Sequence, residues 1–274
     1  MPAVNRRILP GFVPSLSYAI LYLAVLVLIP LAACFLKAST LTFEQFWAAV
    51  YNPRALAAYK LTFGTSLAAA FINVFLGLLI AWVLVRYEFP LKRFFDSLID
   101  LPFALPTAVA GLVYSSLYVK SGWLGQFLVP LGIHGAYSRT AIVLVLTFIG
   151  LPFVVRTVQP VLEEFDREQE EAAACLGASR LTCFLRVVLP TLIPALITGF
   201  ALVFARCLGE YGSVVFVSGN KPLDTEIAPV LIVSRLESFQ YAEATAIAVV
   251  LLLISFTMLI VINFLQRWSR RHEA

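Results

Sequence analysis

Residues 61–85 read LTFGTSLAAAFINVFLGLLIAWVLV, twenty-five positions without one ionisable side chain. A helix rises 1.5 Å per residue, so about 20 apolar residues cross the roughly 30 Å hydrocarbon core of a bilayer. This run is long enough, and five more of its kind flank it at 16–36, 101–119, 140–158, 189–208 and 242–266. Six membrane spans follow, which makes the chain an all-α integral membrane protein. A further apolar patch, 211–218, is too short to cross as a helix; it suits a re-entrant or irregular segment buried against protein.

Bulk composition agrees. Of 274 residues, 61% are hydrophobic and 13% charged, with mean hydropathy +0.90. Soluble domains run at about 45–50% apolar and about 25% charged. Soluble, disordered, collagen-like and disulfide-rich secreted classes are thereby excluded. The net charge of +4 reads as anchoring of spans on the inner side and gives no footprint for nucleic acid. Cys34, Cys175, Cys183 and Cys207 form no CxxC pair, and His134 and His272 have no ligand spacing around them, so no metal site is expected.

Asn5-Arg6-Arg7 precedes the first run, and Leu31-Ala32-Ala33-Cys34 resembles a lipoprotein cleavage box. The run 16–36 is longer than the roughly 7–15 residues of a signal h-region, so an uncleaved first span is expected. The basic residues next to spans, Arg6-Arg7, Lys92-Arg93 and the tail Arg267, Arg270 and Arg271, place both termini in the cytoplasm. No linker or short repeat divides the chain. The organisation expected is an N-terminal segment with the first span (1–56), one transmembrane domain (57–264) and a basic cytoplasmic tail (265–274).

Two features interrupt the apolar pattern. Pro102 and Pro106 stand one turn apart at the start of the third run, with Gly111 beyond them. Each proline removes a backbone donor. The segment is either a loop followed by a late-starting helix or a kink beside a pore. Asn73, within the second run, reads as an interhelical hydrogen bond rather than a ligand contact.

The longest polar stretch on the inner face is 159–186. It carries Glu163, Glu164, Asp166, Glu168, Glu170 and Glu171, then an alanine run to Leu176, then Gly177. Acidic residues at a helix start, alanines and a glycine stop predict a short helix. Such a helix is marginal alone, since about 12–15 residues are needed in water, and it needs something to dock against. Small side chains at Ala172 and Ala173 permit close approach, and Gly177 permits a sharp exit.

Glu171-Ala172-Ala173, three residues, Gly177, nine residues, Val187, one residue, Leu189-Pro190 resembles the EAA motif of bacterial ABC-importer permeases. The family form carries isoleucine where this chain has Val187. The resemblance spans about residues 57–264 and implies a type I importer transmembrane domain. It also implies that Glu171, Ala172, Ala173 and Gly177 contact a cytoplasmic ATPase subunit, with Val187, Leu189 and Pro190 placing the next span. The chain has no G-x-x-x-x-G-K-[ST] phosphate loop of its own. No cofactor is therefore expected in it, and ATP and Mg belong to the partner.

The fifth run ends in Arg206, Gly209, Glu210, Gly212 and Ser213. Ionisable groups at membrane depth normally face the bundle interior or a wet cavity. Arg206 could donate to a passing anion while Glu210 holds its orientation, or the two could form an internal ion pair. Ser213 to Asn220 would add hydroxyl and amide donors. Segments 205–220 and 101–111 resemble the sulfate and molybdate branch of these permeases, and the whole run resembles its sulfate/thiosulfate members, which serve cysteine biosynthesis. That likeness implies a bacterial inner-membrane complex of two related permeases, two ATPase subunits and a periplasmic or extracellular sulfate-binding protein, all seated in membrane lipid. Molybdate or tungstate import is the alternative within the family. A lone secondary transporter would want coupling carboxylates deep in several spans and an inverted repeat. A membrane enzyme would want paired carboxylates or an activated nucleophile. Neither pattern is present.

Overall fold

In the computed structural model, residues 12–132 and 134–270 are described, with side chains through 264. Arg6, Arg7, Arg271 and His272 lie outside the described residues, as do the side chains of the basic tail. Thirteen helices follow in order among the described residues, besides one 3-10 turn at Val129–Leu131. They are α1 (Phe12–Ala38), α2 (Phe43–Val50), α3 (Pro53–Arg86), α4 (Lys92–Ile99), α5 (Leu101–Ala104), α6 (Thr107–Tyr118), α7 (Gly125–Leu128), α8 (Arg139–Glu164), α9 (Glu168–Cys175), α10 (Arg180–Leu208), α11 (Val214–Val217), α12 (Ala228–Glu237) and α13 (Tyr241–Arg270). No strand occurs among these residues.

Local signals explain the long helices. The Asn52 side chain accepts from the Ala55 N–H at 2.9 Å and Pro53 occupies the first helical position of α3, a favoured start. The Ser138 hydroxyl caps α8 through the Ala141 N–H at 3.1 Å. Pro190 cannot donate to the turn before it, and the backbone answers by widening into a π-turn at Phe184–Val188 within α10. The same device precedes Pro30 in α1, at Ala24–Leu28.

Five helices are long and apolar enough to cross a membrane: α1, α3, α8, α10 and α13 up to Phe264. The third run differs from a continuous span. It divides into α5 and α6 around an extended Leu105-Pro106, because Pro106 can neither donate a hydrogen bond nor leave Leu105 in the helical region. The twelve residues of α6 cover about 18 Å, too short to cross by themselves. Patch 211–218 contains only the four-residue α11, packed on α6 with Val214 and Val217 buried, so it lies against protein as its length requires.

The core is the sandwich of α3, α8 and α10, with Ile142, Leu146, Val154, Val158, Val203 and Phe204 fully enclosed. Close approach is set by small residues. A Cβ on Gly77 would fall 2.6 Å from the Val154 Cβ, and one on Gly199 would fall 3.1 Å from the Val154 Cα. In lipid such packing replaces the hydrophobic drive. A second cluster joins α2, the start of α3, α12 and α13 through Ala55, Ala58, Leu231 and Ile247. The α1 helix leans on α13 and buries almost none of its own surface.

The expectation for Asn73 needs correction. Its side chain is fully buried between α3, α8 and α10, against the Gly150 backbone and Val203, yet neither amide atom has a hydrogen-bond partner. The surfaces that meet it are the backbone of Gly150 and a methyl of Val203, and neither supplies a partner.

Candidate functional site

The α9 helix forms where the acidic run and alanines predict it. Glu168, Glu170 and Glu171 stand in its first turn, favourable beside the positive end of the helix dipole. Gly177, at φ +85°, closes the helix. Its N–H reaches the Ala174 carbonyl at 2.9 Å and the Ala178 N–H reaches the Ala173 carbonyl at 3.0 Å, the paired bonds of a Schellman cap. Nothing lies within 4 Å of where a Gly177 Cβ would stand.

What α9 presents is an exposed, largely apolar edge. Ala172, Cys175 and Gly177 are exposed, and Leu176 is 89% exposed; Leu181 and Leu185 continue the edge onto α10. Glu171 lines a groove of about 360 Å³ with Trp82, Glu170, Arg180, Phe184 and Val188. The motif thus splits in two. Glu171, Ala172 and Gly177 face outward with Ala173 half-buried beneath them, while Val187, Leu189 and Pro190 are half-buried in α10 against the core.

The bolt that holds α9 is a residue not singled out from the sequence. Arg86, the last residue of α3, forms an ion pair with Glu170. Its guanidinium sits 5.1 Å from the Trp82 ring centroid and 5.8 Å from that of Phe165, a desolvated cation–π seat. The signal available was Trp82 four positions before Arg86, on one helix face. A second cluster at the same end was also missed. Arg156 of α8 bonds both Asp100 carboxylate oxygens at 2.9 and 2.7 Å, Asp96 Oδ1 at 2.7 Å and Gln159 Oε1 at 2.7 Å. It thereby ties α4 to α8. Sequence pattern could not pair residues 56 and 60 positions apart.

At the opposite end of α10 the structure brings the other five predicted residues together. The helix ends at Leu208, before Glu210, and Glu210 reaches back from the turn to place Oε2 2.5 Å from Arg206 Nη1. Glu210 is 2% exposed, whereas the Arg206 side chain is 35% exposed. The other Glu210 oxygen accepts from the Ser213 N–H at 2.9 Å and the Ser213 hydroxyl at 3.0 Å. Gly209 borders open space, but a Cβ on Gly212 would meet Thr107 Oγ1 at 2.3 Å, and one on Gly111 would meet the Ser213 carbonyl at 2.4 Å. The glycines therefore let α6 and its proline break seat against this turn.

The donors expected between Ser213 and Asn220 are mostly spent within the loop. Ser213 serves Glu210, the Ser218 hydroxyl lies 2.6 Å from Asn220 Oδ1, and the Asn220 amide donates to the Val215 carbonyl at 2.8 Å. Arg206 spends one guanidinium nitrogen on Glu210, and its side chain is partly exposed. Four cysteines, Cys34, Cys175, Cys183 and Cys207, are free.

A bundle of helices long and apolar enough to cross a membrane, with a capped loop helix exposed at one end and an ion-paired guanidinium at the other, is a multi-pass membrane domain. The family described as "Binding-protein-dependent transport system inner membrane component" matches residues 73–273, and the chain belongs to it. It is thus a transport component and not an enzyme. The chain is 53% identical over 273 residues to the "Sulfate transport system permease protein CysT" of Synechococcus elongatus, covering 100% of this chain and 98% of that one. It is 48% identical over 268 residues to the protein of the same description from Salmonella typhimurium, covering 97% of each. The fold matches a chain of a bacterial ABC transporter involved in the import of the acidic polysaccharide alginate, with TM-score 0.77 and 15% identity over 93% of this chain and 94% of that one. A MetNI methionine ABC transporter chain matches with TM-score 0.57 and 17% identity over 84% and 99%.

Proposed function

We propose that this chain is the permease subunit of an ATP-driven sulfate importer of the bacterial inner membrane, with the α9 face turned to the cytoplasm. The observation that carries the reading is α9 itself: a short, capped helix with an exposed apolar edge, bolted by Arg86 to one core span and joined by the short turn at Gly177 to another. A cytoplasmic ATPase pair, binding ATP and Mg, grips this helix. A second related permease subunit completes the pathway, and a periplasmic sulfate-binding protein delivers the anion. The names of the full-length relatives support sulfate; thiosulfate, with a role in cysteine biosynthesis, fits the same donor chemistry.

In this reading Arg206 is the anion contact. Glu210 engages one guanidinium nitrogen and keeps the others aimed outward, and its charge keeps the local net charge near zero, so that an oxyanion binds and also leaves. Gly209 and Gly212 give the turn its shape, and Ser213 fixes the carboxylate. Reconstitution of the chain with its ATPase, second permease and binding protein tests the reading: sulfate-loaded binding protein is expected to raise ATP turnover. Turnover that molybdate raises and sulfate leaves unchanged would refute the choice of anion. Oxyanion uptake by the chain with no ATPase present would refute the class.

A further inference from the structure

Two cavities open side by side at the α9 end of the molecule and share the wall formed by Leu84 and Phe89. One, of about 560 Å³, is apolar, with Leu79, Val83, Phe95, Leu98, Phe148 and Leu151 among its lining. The other, of about 670 Å³, is bordered by Glu88, Lys92, Arg93, Asp96, Gln159 and Glu163. Both volumes fall in the roughly 300–1,000 Å³ range of ligand sites. Leu79 lies seven residues before Arg86 on α3, about 10 Å deeper along the helix, so the apolar cavity runs into the bilayer from the polar one.

The helix between them, α4, is amphipathic. Its polar side is held by Arg156 through Asp96, while Phe94, Phe95 and Leu98 are 59%, 46% and 45% exposed. An apolar side over a basic start is the pattern of a helix lying in the membrane interface. The charges around the polar cavity are of both signs and unequally occupied. Asp96 is consumed by Arg156, and Gln159 Nε2 donates to Glu163 at 3.1 Å. Lys92 pairs at 2.8 Å with Glu88, whose side chain is 89% exposed. Arg93 has no ion-pair partner among the described residues.

We propose that this double groove binds one bilayer phospholipid with an amine-bearing, zwitterionic headgroup. An acyl chain fills the apolar cavity, the phosphate meets Arg93 and Lys92, and the headgroup ammonium faces Glu88 and Glu163. Arg93 supplies the planar donor fork suited to a phosphate. A purely anionic headgroup would leave the two carboxylates opposing it, and a cationic one would leave Arg93 uncompensated. Chain, phosphate and amine thus each meet a lining of matching chemistry: the apolar cavity, the two basic side chains and the two carboxylates.

The test uses the assembled complex, purified in mild detergent from a membrane holding phosphatidylethanolamine and phosphatidylglycerol, with retained lipid measured by native mass spectrometry. About one phosphatidylethanolamine per copy of this chain is expected. Val83→Trp, which fills the cavity, and Arg93→Glu, on the exposed surface, are each expected to lower retention at least tenfold while assembly is unchanged. Arg93→Glu reads the site even where Val83→Trp disturbs packing. Retention equal in wild type and Arg93→Glu overturns the proposal, as does a preference for phosphatidylglycerol. A Leu98→Cys variant that cross-links to the second permease subunit overturns it too, by assigning the groove to a subunit interface.

Discussion

Gly177→Ala isolates the geometry of the α9 exit from everything else at that face. The residue stands at φ +85° with no atom within 4 Å of its missing Cβ. An alanine therefore clashes with nothing in the chain, and its whole effect is backbone strain. For an L-residue that strain is about 1–2 kcal/mol, enough to shift a conformational ratio by about 5–30-fold. Relief of the strain costs the two closing bonds, Gly177 N–H to Ala174 and Ala178 N–H to Ala173, and lets Leu176 swing away. Substrate-stimulated ATP turnover of the reconstituted complex, at subsaturating ATPase subunit and equal membrane levels, is expected to fall 5–30-fold. Gly177→Asn is the control, because asparagine visits the left-handed region far more readily, and it should recover most of the turnover. If alanine were harmless, or asparagine as damaging as alanine, the exit angle would not be what the partner reads.

Three further outcomes follow from the same packing. Arg206→Ala strands the buried Glu210 carboxylate, so loss of uptake alone decides little; in Arg206→Ala/Glu210→Gln assembly should recover while sulfate uptake stays below a tenth of wild type, and recovered uptake would remove Arg206 from the pathway. Asn73→Leu replaces a buried, unpartnered amide whose burial costs about 1–3 kcal/mol, so the purified protein should melt at a higher temperature. A lower melting point would mean that the amide has a partner. Gly77→Val drives a side chain into Val154 at a cost of about 1–3 kcal/mol, read as a lower melting temperature with the helix content intact.

Most of the span content was legible because hydrocarbon is a simple solvent: it demands length and apolarity, and 61–85, 140–158 and 189–208 supply both. The third run was half legible. Prolines 102 and 106 announced a break, but only the packing of α6 on α11 through Gly111 and Gly212 decides that the segment stays short and seated on the 209–213 turn. The α9 helix was readable from its acids, alanines and glycine, all of which are local signals. Arg86 and Arg156 were invisible as fasteners, since their partners lie 84, 60 and 56 positions away and nothing in a single chain's pattern couples such distances. The Ser218 and Asn220 donors misled for the same reason in reverse. Composition counts a hydroxyl as available, and only the fold reveals that a neighbour has already used it.

The division of the Glu171–Pro190 motif explains why its parts are spaced as they are. An eight-residue helix is too short to hold its own shape in water, so α9 borrows rigidity at both ends. Arg86 ties Glu170 to the tip of α3, and the Schellman turn at Gly177 leads within three residues into α10, whose π-turn absorbs Pro190. A force applied to the exposed edge therefore reaches two of the three core spans directly. The third, α8, enters through Glu164, two residues before the loop's Asp166, and is itself tied by Arg156 to α4. Displacing α9 without moving the sandwich would require breaking Arg86 from its seat between two aromatic rings, where a guanidinium has little water to fall back on. On the proposed reading, a pull on the loop helix would therefore move the bundle before it unravelled the helix, because the Arg86 fastening lies inside the protein while the edge of Ala172, Cys175 and Leu176 stays exposed.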